Sequence, residues 1–356
     1  MVRRRYVLWF AALCVSFVLL GIAYSEIQPV VGLSDSLLVN GDFDQLPFDW
    51  FYPNHFVARG WNRWWIHGTV LPEFDDVAKP GGVRAKIYVD GGHAQVYFKW
   101  GNAYTAGLFQ VVDGLTPCRP YELTMYARTH SLPGAYPGSR IGLDPRGEQL
   151  TPDGAVKDMT ALQRTVWSRE QTALTTWEEL SVTAEPLGNS LTAILYASPL
   201  PGSKEVHYFD TYWDAGALRL TSYPGDRLPG PLGVTSGFIS NVQRSATSTS
   251  LTVNWNLNGT GGTQVWYNVV PPPTPPTPIT STFQINFSVY FPLIARGIPF
   301  TFPQQTALDY TSGAAHAAII SGLSTGQSVH YIVVARRLSG DMCVTEYAGP
   351  YTIQIP

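Results

Sequence analysis

From Leu37 to about Ser222, apolar and polar positions alternate in short runs broken by Gly, Pro, Asn and Asp, a pattern that predicts short strands joined by tight turns. Residues 121–128 are the clearest case. Tyr121, Leu123, Met125 and Ala127 fall on one face and Glu122, Thr124, Tyr126 and Arg128 on the other, as expected of a half-buried antiparallel strand. Leu191 to Tyr196 and Val206 to Leu220 have the same character. Residues 160–171 have room for a helical turn, and no long amphipathic helix is visible. Residues 223–232 (YPGDRLPGPL) read as a Pro/Gly linker, and strand signals resume beyond it. Residues 271–278 (PPPTPPTP) can only be an extended polyproline stretch. Because strand signals lie on both sides of residues 271–304, that segment is an insertion within a second domain of 233–356.

The amino terminus has a different pattern. Arg3, Arg4 and Arg5 precede an apolar run from Val7 to Ala23 broken by Ser16, the arrangement of a secretory signal. Ala23 and Ser25 are the small residues a signal peptidase reads, which predicts cleavage before Glu26. The run is also close to the lower length of a spanning helix, so retention as an anchor helix stays open. Residues 1–25 are therefore a signal peptide or anchor, 26–36 a tether, and 37–222 the first folded domain. The expected location is secreted or cell-surface.

Composition sharpens this picture. Aromatic residues make up 13% of the 356 positions and charged residues 14%, with 33 Gly and 28 Pro, a mixture suited to strands and turns. Without its first 25 residues the chain has 20 basic and 26 acidic residues. No basic stripe is left to neutralise phosphates, so nucleic acid is excluded as a partner, and the membrane is met only through residues 7–23. Residues 231–356 hold only seven charges: Arg244, Arg296, Arg336, Arg337, Asp309, Asp341 and Glu346. That shift across the Pro/Gly segment marks a domain boundary. Three cysteines, Cys14, Cys118 and Cys343, exclude a disulfide framework and a cysteine metal cluster. A single Cys118–Cys343 bridge is possible but disfavoured, because it needs close Cα approach between two domains.

Several segments resemble galactose-binding-like jelly rolls, in particular calcium-stabilised carbohydrate-binding modules. They are LLVNGDFD at 37–44, Gly60-Trp61, GGHAQVYF at 91–98, GLFQVV at 107–112, GLTPCRPY at 114–121 and YWDAGAL at 212–218. Cys118 and Arg119 replace the usual Gly-containing turn, and Ala215 stands where a second Asp is common. IGLDPRG at 141–147 with TVWS at 165–168 is similar to a subset of surface proteins with this jelly roll. The second domain resembles fibronectin type III through SLTVNW at 250–255, TQVWY at 263–267 and HAAIISGLSTGQSVHY at 316–331. Trp255, Ile319, Leu323, Tyr331 and Val333 are its expected inward face. The fold class implied is all-β, a jelly-roll β-sandwich followed by an immunoglobulin-like one.

The resemblance implies a calcium site formed by the Asp42 carbonyl and the Asp44 and Asp214 carboxylates, joining the first and last strands. It also directs attention to aromatic side chains on which sugar rings stack. The candidate ligand-binding set is Trp64, Gln95, Trp100, Tyr104, Gln110, Arg140, Asp144 and Tyr196. Trp100 and Tyr104 lie in a Gly/Asn-containing turn and are expected to be exposed. No GxSxG elbow, HExxH, P-loop or dinucleotide fingerprint occurs, so no catalytic residue is assigned and the chain reads as a non-enzyme. Glu73, Asp75 and Asp76 are the densest acidic group and read as a solvated loop. Glycan binding leads. A structural or adhesive envelope protein with protein partners is second, supported by the apolar run 289–294 (VYFPLI). A glycoside hydrolase is third.

Overall fold

A computed structural model describes residues 36–51, 55–78, 88–151, 154–156, 160–201, 208–231, 233–234, 237–272, 302–311 and 314–356. The signal or anchor, nearly all of the tether, the apolar run 289–294 and most of the 271–304 insertion lie outside these residues.

The architecture is all-β. In the first sandwich one sheet has six strands, in spatial order Val166–Trp167, Ser139–Asp144, Ser190–Ala197, Ala106–Asp113, Asn62–Ile66 and Gly154–Val156. The facing sheet has five: Glu178–Ala184, Tyr121–His130, Tyr208–Leu220, Gln95–Trp100 and Glu73–Asp76. Alternation decides which side chains meet between them. Tyr121, Leu123, Met125 and Ala127 are all buried in the shared core, with Tyr97, Phe209 and Trp213 from neighbouring strands and Leu108, Leu143 and Leu195 from the opposite sheet. The helical turn expected in 160–171 is Thr160–Arg164.

The opening segment 37–44, expected as a strand, is a run of turns instead, and it is stitched to the Tyr208–Leu220 strand. Leu37 N donates to Leu218 O at 2.8 Å and Gly216 N to Gly41 O at 2.8 Å. A Cβ on Gly41 would sit 2.3 Å from the Gly216 carbonyl, so only glycine permits this approach.

The second sandwich pairs a three-stranded sheet (Ile239–Ala246, Ser250–Leu257, Ala315–Ser321) with a five-stranded one. The latter is ordered Gly233–Val234, Met342–Gln354, Ser328–Ser339, Gly262–Val270 and Gln304–Gln305. Trp255, Leu323, Tyr331 and Val333 are buried between them, as expected. Ile319 is not. It is 66% exposed, and Ile320, paired with Leu251, fills the core instead. Two adjacent isoleucines satisfy either phase of a period-two pattern, and the register with Leu251 selects one.

The cysteine expectation is overturned. Cys118 and Cys343 form a disulfide with Cα atoms 5.4 Å apart, linking the turn before Tyr121 in the first sandwich to the Met342–Gln354 strand of the second. Around it, Arg336 makes a two-pronged ion pair with Glu185, and the Tyr223 hydroxyl lies against the Glu185 carboxylate and 2.9 Å from the Cys118 carbonyl. Tyr223 and Leu228, within the Pro/Gly segment, are buried against Trp266, Phe302, Ile332 and Val334. That segment is thus packed onto the outer face of the second sandwich.

Candidate functional site

The outer face of the first sandwich's five-stranded sheet carries a band of aromatic and polar side chains. Its rows follow from the register, in which Trp100 opposes Tyr208, Phe98 opposes Asp210, and Asp210 and Tyr212 oppose His130 and Arg128. The inward neighbours Tyr97, Phe209 and Trp213 fix the phase, so Phe98, Trp100, Tyr208, Asp210 and Tyr212 point outward. Trp100 is 71% exposed and stacks on half-buried Tyr208, with centroids 6.0 Å apart and planes 14° from parallel. Tyr208 in turn leans on His130, 5.1 Å between centroids. Beyond Phe98 the band continues through buried Tyr212 to half-buried Trp177.

Of the predicted ligand set, Trp100 alone belongs to this band. Tyr104, expected beside it, is buried, and its hydroxyl bonds the Tyr97 carbonyl at 3.1 Å and Thr211 Oγ1 at 2.9 Å. Trp64 is fully buried beneath the segment covering the other sheet and donates Nε1–H to the Leu108 carbonyl. The two glutamines are internal clips. Gln95 accepts from Ala58 N at 2.8 Å and donates to the Phe56 and Asp75 carbonyls, both 3.0 Å. Gln110 accepts from Val39 N at 2.7 Å and donates to the Val39 and Gly60 carbonyls. Every amide atom is thereby satisfied, which is the condition for burying such a side chain. Asp144 is also fully buried, and burial pushes its carboxyl above the usual range while Arg146 N donates to it at 3.2 Å. Arg140 and Tyr196 lie together on the outer face of the six-stranded sheet, away from Trp100. The predicted site is therefore divided: some members are core, and the rest occupy two opposite faces.

The acidic residues implicated in calcium binding do gather, at the stitched ends of the sandwich. Asp214 is fully buried. Val89 N and Asp90 N donate to its Oδ2 at 2.5 and 3.4 Å, and Ala215 N donates to its Oδ1 at 2.7 Å. Burial nonetheless pushes its carboxyl up to about 8, with Asp90 adding repulsion. Asp44 and Asp90 are raised for the same first reason, and each also feels the charge of Asp42. Asp44 Oδ1 and Asp90 Oδ1 are buried without a hydrogen-bond partner. Among the described residues no three His, Cys, Asp or Glu side chains converge tightly enough to hold a metal unaided. Asp90 was missed in the sequence; its signal is the following Gly91, where a Cβ would overlap the Asp44 carboxylate. The acidic strand Glu73–Asp76 is tied down through Asp76, which meets His93 Nδ1 at 2.9 Å.

No protein-family model matches the chain, and no curated protein matches it. Solved structures align with part of the chain. The enzymatically active domain of bacteriophage CBA120 tailspike protein 4 is 12% identical, aligned over 54% of this chain and 22% of that one, with a TM-score of 0.34. The module TmCBM61, solved with beta-1,4-galactotriose, is 14% identical over 52% of this chain and 99% of its own, with a TM-score of 0.31. The CBM22-1 xylan-binding domain from Paenibacillus barcinonensis Xyn10C is 16% identical over 52% and 94%, with a TM-score of 0.29. This chain thus spans about a fifth of the tailspike domain and nearly all of the two modules. At such scores the likeness carries no argument, and the chemistry rests on the side chains themselves.

Proposed function

We propose that this chain is an exported, non-catalytic glycan-binding protein. The first sandwich holds a polysaccharide on the outer face of its five-stranded sheet, and the second, a fibronectin type III-like module, acts as a spacer. The observation that carries this reading is the exposed Trp100 stacked on Tyr208. A large ring left 71% in water gains nothing for the fold, whereas its flat face suits the apolar C–H face of a pyranose. Asp210 and His130 lie beside the ring pair on the same face, with Arg128 farther along opposite Tyr212, and would bond sugar hydroxyls. The disulfide supports export, because such bonds persist in oxidising compartments.

Calcium fits the acidic end as a structural ion. Buried, unpartnered oxygens on Asp44 and Asp90 are what a hard cation would satisfy, with Asp42 and Asp214 completing the negative surround. Bound there, the ion would tie the opening segment to the last strand and to the 88–90 turn.

The test is retention on insoluble or oligomeric neutral polysaccharides, followed by affinity electrophoresis of variants. One ring contributes roughly 0.5–1.5 kcal/mol, so Trp100→Ala should weaken binding by up to about tenfold. The melting temperature should stay unchanged because the ring is exposed. Failure of the wild type to bind any neutral polysaccharide in calcium-containing buffer would overturn the reading in favour of an adhesive envelope protein.

A further inference from the structure

The opposite face of the same sandwich carries a second arrangement, independent of the Trp100 band. In the six-stranded sheet, Ser139–Asp144 lies between Val166–Trp167 and Ser190–Ala197. Register places Arg140 across from Tyr196 and Gly142 across from Trp167, all on the outer surface. A Cβ on Gly142 would lie 2.7 Å from two atoms of the Trp167 ring. Glycine here allows the indole to lie over the strand, where its Nε1–H donates to the Leu162 carbonyl at 3.2 Å. Tyr196 is set by Trp64 beneath it, 5.9 Å between centroids, and by the edge of Trp167 at 5.4 Å.

The Arg140 guanidinium packs against both fixed rings, its carbon 4.3 Å from the Trp167 centroid and 4.6 Å from that of Tyr196. The two rings, 5.4 Å apart, flank the cation on adjacent sides, and no hydrogen bond satisfies it among the described residues. Its Nε is buried and unpartnered. Its nearest carboxylate, Glu170, stands off at 3.9 Å and is itself 41% exposed. Arg336 and Arg169, by contrast, spend their donors on Glu185 and Glu178. Arg140 keeps 28% of its side chain open, so it presents unused donors at the surface from a rigid position.

We infer that Arg140, packed against Trp167 and Tyr196, is a recognition site for the carboxylate of an acidic sugar. A guanidinium fork matches a carboxylate with two parallel hydrogen bonds. A planar carboxylate accepts both bonds within the guanidinium plane. The indole and phenol beside the fork offer apolar surface to the pyranose bearing the acid. Because the chain beyond residue 25 is net negative, polyanions gain no general attraction from it, and the proposed binding rests on the local fork of Arg140.

The experiment is calorimetric titration of the full-length protein with oligogalacturonate. Arg140→Ala should lower affinity by at least about tenfold, the effect expected for a charge-assisted bidentate pair. Arg140→Lys keeps the charge but loses the fork and should also bind several-fold more weakly. Melting temperatures of the variants establish that they fold, and the Lys variant carries the test if the Ala variant does not. Absence of wild-type binding, or equal binding by both Arg140 variants, would overturn the site. Equally effective competition by dextran sulfate or oligoglutamate would overturn the assignment to a sugar carboxylate. The Trp100 platform, tested with neutral polysaccharide, stands or falls separately.

Discussion

Removing the bridge between the sandwiches, by Cys343→Ser or by a reducing agent, should destabilise the protein substantially. The bridged residues are 225 positions apart, so oxidation closes a very long loop in the unfolded chain. The chain-entropy relation assigns such a loop about 5 kcal/mol at 25 °C, and the logarithm makes this insensitive to detail. Were the second sandwich to unfold alone, the relevant loop would run from the packed Tyr223 to Cys343, still more than about 100 residues, with nearly the same cost. For a cooperative unit of roughly 300 residues this corresponds to a fall in melting temperature on the order of 8 °C. The native contacts beside the bridge survive its loss, because the Glu185–Arg336 pair and the Tyr223 hydroxyl do not involve sulfur. Differential scanning calorimetry of the wild type, the serine variant and the reduced wild type measures the effect. Coincident transitions in all three would show that the unfolded ensemble does not feel the cross-link, and the reasoning would fail.

Two further perturbations address the core and the acidic end. Trp255 is 2% exposed and donates Nε1–H to Thr263 Oγ1 at 3.0 Å, so Trp255→Ala should cost roughly 3–5 kcal/mol, read from the denaturant midpoint of the second sandwich; an unchanged midpoint would contradict the packing. In chelator, the raised carboxyl of Asp214 means that the folded state holds its proton more tightly than the unfolded state. That contribution is fully present below the ordinary carboxylate range and is lost as pH rises toward about 8. Melting temperature should therefore fall over this interval, Asp214→Asn should flatten the fall, and calcium should restore stability at the alkaline end. A wild-type profile that is flat with pH and indifferent to calcium would contradict it.

What could be read from the sequence was what depends on near neighbours. The alternation of residues 121–128 gave both the strand and its buried face, and SLTVNW gave the position of Trp255. What escaped depends on partners remote in the chain. Tyr104 looks like a turn residue, and only Thr211, 107 positions away, explains its burial. Gln95 and Gln110 look like polar ligands because nothing local reveals the strand carbonyls they clip. The disulfide was invisible for the same reason, since the Cα approach of its cysteines depends on how two sandwiches meet. Ile319 and Ile320 were ambiguous for a local reason, as a pair of identical side chains carries no phase. Trp100 was the exception among the aromatics, because its turn context sufficed to place it in water.

The two candidate surfaces have a geometric consequence. Trp100 projects from one sheet and Arg140 from the other, so the hydrophobic core of the sandwich separates them. A short oligosaccharide cannot span that thickness, and occupancy of both faces by one short strand would bring no gain in effective concentration. Two different glycan chains would instead be held on either side of one domain, a neutral one against the Trp100–Tyr208 pair and an acidic one at Arg140. Such bridging is useful only if the domain does not deform between its faces. The structure meets that requirement with fixed parts: Gln95 and Gln110 clip strands through backbone carbonyls, and the opening segment is fastened to the Tyr208–Leu220 strand. The disulfide and the Glu185–Arg336 pair then extend this rigidity into the second sandwich, which would carry the bridging domain at a fixed orientation.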